Sequence, residues 1–275
     1  MFSIARHRSS LIATLTLPLV LWTGTALAQL PGLTTMIPIP AGSFIMGRND
    51  GPEDERPAHR VDLPAFDIDR TPVTNLQFAA FLDKVGPRGP RGENYFDVDD
   101  PDARVHRREG RWLPHPGAEQ HPVVEASWHG ARAYCAWAGK RLPTEAEWEK
   151  AARGADTIAP SRRYPWGNQP PDASRAHFGA GWNETRPVGE RPLGASPYGV
   201  LDMAGNGWQW LSSAYLPYPY DPNDGREDAA RPLVRATRGG GHDARPEDMR
   251  TTQRGRLVSR AFEAGHHNIT FRCAR

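Results

Sequence analysis

The chain is poor in sulfur and carries no surplus of charge. Two cysteines, Cys135 and Cys273, stand among 275 residues, so one intramolecular bridge is the most that can form. In an exported chain such a pair gives one disulfide, with two free buried thiols as the alternative. Lysine and arginine total 34 against 32 aspartates and glutamates. Arg6 and Arg8 fall in a leader, and its removal leaves 32 of each sign. No net positive field then remains to draw a polyanion, which excludes a nucleic-acid partner. The apolar run from Leu11 to Trp22 is too short, and too interrupted by threonines and Pro18, for a membrane span. There is no internal repeat and no low-complexity tract.

What is present begins with that same run. Arg6 and Arg8 precede it and Ala26-Leu27-Ala28 follows it, the layout of a secretory signal peptide over 1–28. The expectation is cleavage before Gln29 and a periplasmic or secreted protein without stable membrane insertion; an uncleaved anchor is the alternative. No cysteine follows the cleavage site to take a lipid. Glycine and proline number 27 each, which fits a loop-rich domain with few regular elements. With 38% hydrophobic residues, the length allows one large domain or two small ones.

His121 to Arg153 is the best-patterned stretch. From Ser127, Trp128, Ala131, Tyr134, Cys135 and Trp137 recur at three- and four-residue intervals, predicting one apolar helical face that Gly139 ends. Thr144 and Glu147 have the spacing of a capping box behind Pro143, predicting a second amphipathic helix that carries Trp148 inward. Upstream, Met36 to Gly47 reads as a short hairpin around Gly42 and Val61 to Asp69 as a strand. Between them Arg48 to Arg60 reads as a charged loop. Its acids Asp50, Glu53, Asp54 and Glu55 lack the ligand spacing of a calcium loop and suit a solvated face. Thr71 and Thr74 bracket a helix start, with Phe78, Phe81 and Leu82 on its apolar face. Gly86 to Glu119 has no apolar periodicity and reads as a surface excursion, and Gly154 to Arg163 as another loop. Tyr164-Pro165-Trp166-Gly167-Asn168 is a tight aromatic turn.

The string WAGKRLPTEAEWEKAARG closely resembles the signature of the sulfatase-modifying-factor family, the formylglycine-generating enzymes and their relatives. In order, MIPIPAGSFIMG, TPVTNLQFAAFL, YPWGNQPP, YGVLDMAGNGWQW, RATRGGG and TFRCAR extend the resemblance over roughly Met36 to Arg275. It implies a single domain over 29–275 with an α+β fold, the formylglycine-generating variant of the C-type-lectin-like fold. It also implies that Cys135 and Cys273 form a structural bridge. A closed loop of almost 140 residues is worth about 4 to 5 kcal/mol in the chain-entropy model.

The resemblance carries metal positions as well. One calcium site would use the Asp202 side chain, carbonyls at Gly205 and Gly207, and the side chain of Gln209, where the family has glutamate. The missing charge weakens a hard-cation site, and a hydrogen-bonded turn is the alternative. A second calcium site, near His177 and Phe178, is expected to be lost, with Asn183 or Glu184 as substitutes. The family's reaction oxidises a substrate cysteine with molecular oxygen on copper(I) held by two thiolates, soft donors suited to that ion. Ala244 and Met249 stand where those cysteines would be, and Gly241 where a serine usually follows two glycines. Copper is therefore not expected.

Around those positions the sequence is polar: His242, Asp243, Arg245, Glu247, Asp248, Arg250 and Arg254. A histidine beside a carboxylate can act as general acid and base, which makes His242, Asp243, Glu247 and Arg250 the catalytic candidates. The alternative is that Arg250 and Arg254 pair with Glu247 or Asp248 and leave His242 facing solvent. His266 and His267 are adjacent and, in a strand, would point to opposite faces. Two functions follow. One is a binding or accessory module for a peptide or protein partner. The other is a cysteine-independent periplasmic oxidoreductase acting on a peptide, as in the pyoverdine-maturation branch, with true formylglycine formation behind both.

Overall fold

In the computed structural model, which describes residues 1–2, 34–155, 162–255 and 262–275, prolines set the form of the first β ribbon. The apolar run and cleavage site of the leader lie outside the described residues. Strand β1 (Met36–Ile39) pairs with β4 (Phe66–Asp69), and β2 (Gly42–Met46) with β3 (His59–Leu63), both antiparallel. The register runs straight through, with Ile39 opposite Phe66 and Gly42 opposite Leu63. The hairpin expected over Met36 to Gly47 therefore does not form: β1 and β2 are successive stretches of one arm. The strand expected over Val61 to Asp69 is split likewise. Pro40 and Pro64 occupy the breaks on the two arms, and proline has no N–H to give a ladder.

The chain reverses instead between residues 47 and 58. A short 3-10 turn there, Glu53–Glu55, buries Glu55 to 1% exposure, so the expected solvated face holds for Asp50 and Glu53 but not for Glu55.

Helix α1 (Asn75–Val85) starts where both halves of a capping box form, between Thr74 and Gln77. Its Phe78, Phe81 and Leu82 are buried. The 86–119 segment is less of an excursion than its composition suggests. It contains the hairpin β5 (Val105–Arg108) and β6 (Arg111–Pro114), and it sends Phe96 and Val105 into the core. The Phe96 ring lies 5.5 Å from that of Phe78.

Helix α2 (Trp128–Trp137) is capped by Ser127, whose hydroxyl accepts the Gly130 N–H. Trp128, Ala131, Tyr134 and Cys135 are buried, but Trp137 is 40% exposed. Successive three-residue steps each fall short of a full turn, so from Trp128 to Trp137 the direction drifts by half a revolution. Helix α3 (Glu145–Arg153) has the Thr144–Glu147 capping box in full. It is not amphipathic in effect, because all nine of its residues are buried.

The central sheet has the order β8-β7-β9: β7 (Trp208–Ala214) runs antiparallel to β8 (Arg235–Arg238) and parallel to β9 (Ile269–Phe271). Helix α2 packs across it, with Tyr134 5.4 Å from Phe271. A disulfide joins Cys135 of α2 to Cys273, two residues beyond β9, across a sequence separation of 138. Among the described residues no helix is long and apolar enough to cross a membrane.

Helix α2 and the 86–119 segment meet at a glycine. A Cβ on Gly130 would stand 1.9 Å from the Tyr95 carbonyl oxygen. Alanine favours a helix interior over glycine by about 1 kcal/mol, but this contact is with backbone and cannot swing aside. Gly130→Ala is expected to lower stability by about 1 to 3 kcal/mol net of the propensity gain, seen as a fall of several degrees in Tm.

Candidate ligand pocket and the buried charges beneath it

Five buried charges set the floor of the site. Glu145 and Glu149, one turn apart on α3, face the same way. The Glu145 carboxylate accepts Arg254 Nε at 2.7 Å, Arg254 Nη2 at 2.9 Å and Arg238 Nε at 3.0 Å. Glu149 accepts Arg238 Nη2 at 2.8 Å, Arg153 Nη1 at 2.7 Å and the Gly47 N–H at 2.8 Å. The guanidinium of Arg254 lies 4.2 Å from the Tyr215 ring centroid and 4.4 Å from that of Tyr218, and donates on to the Asp54 and Leu216 carbonyls. Burial alone would push the Glu145 carboxyl up, but Arg254 and Arg238 outweigh it and the group is held below its usual range. Burial raises the Tyr218 phenol far above its ordinary value, so it remains neutral as it accepts from Arg238.

Above this floor opens a cavity of about 400 Å³, lined by Trp208, Asp243, Ala244, Arg245, Arg254 and Asn268 among others. Its groups are largely committed to one another. Asp243 accepts Asn268 Nδ2 at 3.1 Å and faces His267 Nε2 at 3.4 Å. Exposed Arg245 pairs with Glu247 at 3.2 Å on the rim.

The candidates drawn from sequence separate here. His242 does not face solvent: it is fully buried, neither ring nitrogen is within hydrogen-bond geometry of a described residue, and burial lowers its pKa against the opposing pull of Asp243. It lies behind the cavity wall and is not among the residues that line it. Arg250 is structural, donating to Glu55 at 2.6 Å, with Thr252 Oγ1 also 2.6 Å from that carboxylate. The expected pairing of Arg250 and Arg254 with the carboxylates of Glu247 or Asp248 is replaced by Glu55 and Glu145. Residues 195 and 109 positions away supply those partners, which is why local spacing missed them. His266 and His267 do diverge, though in a turn instead of a strand: His267 stacks on Trp182 at 3.5 Å while His266 lies 6.2 Å from Trp210.

The donor sets for the two family metals do not fit. Ala244 is in the cavity wall, and Met249 is fully buried, its methyl filling the space a side chain on Gly240 would need. Both cysteines of the chain are in the disulfide, so no thiolate is left for copper(I). At the expected calcium position, Gln209 Oε1 already accepts Trp148 Nε1 at 2.9 Å and Arg272 Nε at 2.7 Å, and its Nε2 donates to the Asp202 carbonyl. Asp202 accepts the Gly189 N–H at 2.7 Å, and the Gly205 carbonyl accepts from Gly207. Arg272 supplies the positive charge at this spot, donating to the carbonyls of Leu201, Asp202, Asp69 and Arg70. Burial pulls its pKa down to about 10 despite Asp202 and Asp69. At the second site the His177 ring is spent on the Glu184 carbonyl.

Fold and site together define a protein of formylglycine-generating architecture whose cavity has no sulfur ligand. The chain belongs to the sulfatase-modifying factor enzyme 1-like family, whose domain model matches residues 25–275. It is 32% identical to the formylglycine-generating enzyme of Mycobacterium tuberculosis, over 88% of this chain and 97% of that one. It is 38% identical to the hercynine oxygenase of Mycolicibacterium smegmatis and 39% to the serine/threonine-protein kinase Pkn1 of Chlamydia trachomatis. It covers 78% and 89% of itself in those matches but spans only 55% and 39% of the relatives. Among solved structures, PvdO from Pseudomonas aeruginosa matches with a TM-score of 0.63 and 28% identity, over 87% of this chain and 93% of that one.

Glu145→Gln leaves two guanidiniums short of a buried counter-charge, and is expected to cost about 3 to 5 kcal/mol, measured as a lower urea midpoint. Because Glu145 is held ionised below the 4.5 of a free glutamate, its contribution is full above that pH. It is lost as pH falls through the lower folded value. The acid limb of the urea midpoint against pH should accordingly flatten in the variant.

Proposed function

We propose that the mature protein is an exported binding module that takes a peptide or protein segment in the Asp243–Arg245 cavity without oxidising it. The observation that carries this reading is the chemistry of the cavity. The positions that hold sulfur in oxidising relatives are an alanine in the wall and a buried methionine. The arginine of the floor is locked in an ion pair, and the histidine has no exposed atom. What the cavity offers is recognition chemistry: the exposed Asp243 carboxylate and Arg245 guanidinium, beside the narrow margins of Trp208 and Asn268 that line it. Both signs of charge beside an aromatic surface suit a polypeptide with mixed polar side chains, and about 400 Å³ lies at the lower end of small-ligand pockets. The neutral balance of the mature chain argues against a nucleic-acid partner.

A second reading is supported by the likeness to PvdO over nearly the whole of both chains and by the identity with oxygenase and formylglycine-generating relatives. In it the same cavity oxidises a peptide without cysteine ligands, as in the pyoverdine-maturation branch.

Calorimetric titration of the purified protein with a panel of short peptides of mixed charge separates the readings. The expected outcome is micromolar binding of some members, weakened at least tenfold by Asp243→Ala at unchanged Tm, and no oxygen uptake on mixing. Oxygen consumption with a mass change in the peptide selects the second reading, and absence of binding across the panel rejects the first.

A further inference from the structure

Away from the cavity, the loop ahead of β5 and the turn before α2 bring acids together, and among the described residues no base forms an ion pair with them. Asp100, Asp102 and Glu125 place one carboxylate oxygen each within 4.8 Å of one another. Glu125 is 2% exposed, and no described residue donates a hydrogen bond to its carboxylate. The charged groups that face it are all of one sign: Asp100, Asp102 and Asp97. The guanidinium of Arg104, nearby in sequence, is spent on the Asn183 carbonyl, Thr185 Oγ1 and His121. One neutral oxygen borders the cluster too. Asn183 Oδ1 is buried without a partner, while the nitrogen of the same amide donates to Asp102.

Elsewhere in this protein buried carboxylates are met by a tethered cation, arginine at Glu55, Glu145 and Glu149 and Lys140 at Asp69. A buried, unpaired carboxylate facing two more is stable only with a cation among them or a proton upon it. Oxygens that share one calcium ion at 2.3 to 2.6 Å lie at most about 5 Å apart, so the observed spacing suits such an ion. We propose that Asp100, Asp102 and Glu125 form a binding site for a hard divalent cation, calcium in the first instance, distinct from the Asp202–Gln209 position. Irregular carboxylate and amide oxygens suit calcium better than magnesium, which demands near-ideal octahedral geometry.

The site is wired to the wall of the cavity. Trp182 Nε1 donates to Asp102 Oδ2 at 2.7 Å, and the Trp182 ring stacks on His267, the neighbour of Asp243. The Gly265 N–H donates to Asp97 Oδ2 at 2.6 Å, and Glu125 N–H to the His266 carbonyl at 3.2 Å. A cation here holds residues 265–268, which carry Asn268 into the cavity, against the loop of residues 97–102.

The test uses the full mature protein, stripped with EDTA. Calcium chloride at 1 mM should raise Tm by about 5 °C or more, the shift that a Kd of about 10 µM gives a domain of this size. Titration calorimetry should give one equivalent. In Glu125→Gln the metal-free protein should be at least as stable as the wild type, because an acid facing two other carboxylates is replaced by a neutral amide of the same shape, while the calcium-induced rise disappears. Asp102→Asn should cut calcium affinity at least tenfold, which keeps the question open to measurement if either variant folds poorly. The proposal is overturned if neither calcium nor magnesium shifts the wild type, or if Glu125→Gln keeps the full calcium response.

Discussion

Helix α3 buries five ionisable side chains that form ion pairs or reach backbone oxygens, one of them the capping Glu147 that also pairs with Arg141, and the rest of the domain is arranged to meet them. A carboxylate taken out of water must find its counter-charge and hydrogen bonds inside. Glu149 draws in the Gly47 N–H at the end of the first ribbon, and Arg153 donates to the Ile45 and Gly47 carbonyls of the same arm. Lys150 reaches the Pro40 and Gly42 carbonyls at the break in that ribbon. Glu145 fixes Arg238 at the end of β8 and Arg254 beyond it. One helix of nine residues thus positions the N-terminal ribbon, the central sheet and the cavity floor at once. It does so with directional bonds whose geometry admits little slippage.

This explains which parts of the structure could be read in the sequence. Thr74 with Gln77 and Thr144 with Glu147 form their boxes within four residues, and Ser127 caps over the same span; all follow from local chemistry. So does the broad division of α2 into buried and exposed sides, apart from Trp137, where a run of three-residue steps walks off the face. The ribbon was not legible, because Pro40 and Pro64 matter only once their two arms are known to be opposite. Nor was the fate of the polar cavity residues. Periodicity that marks α3 as amphipathic cannot tell that its charged side meets Arg238 and Arg254 instead of water. The partners of Arg250 and Arg254 likewise lie far away in the chain.

The Gln209 position shows how one substitution changes the meaning of its surroundings. In the resembled enzymes a carboxylate there serves a cation. Here an amide oxygen accepts one indole and one guanidinium N–H, and its nitrogen donates to the Asp202 carbonyl. Arg272 places all its nitrogens on oxygens around the same turn. A neutral amide is the better partner in this arrangement because it both donates and accepts, whereas a carboxylate would face the Asp202 carbonyl with no proton to give. The turn is kept by a covalently tethered cation, so its architecture is compatible with the family frame without the family's ligand charge.

The two groups of buried acids in this domain differ in one respect that follows from position. Glu145, Glu149 and Glu55 lie where β8 and the 250–254 segment can each deliver arginine side chains from a fixed backbone. Glu125 lies at a tight approach of backbone, where a Cβ on Gly265 would stand 2.3 Å from its carbonyl oxygen, and no described arginine or lysine pairs with its carboxylate. A guanidinium needs a tether of several methylenes and a clear path, and a free ion needs neither. The proposed cation at Asp100, Asp102 and Glu125 would take the part that arginine plays around α3.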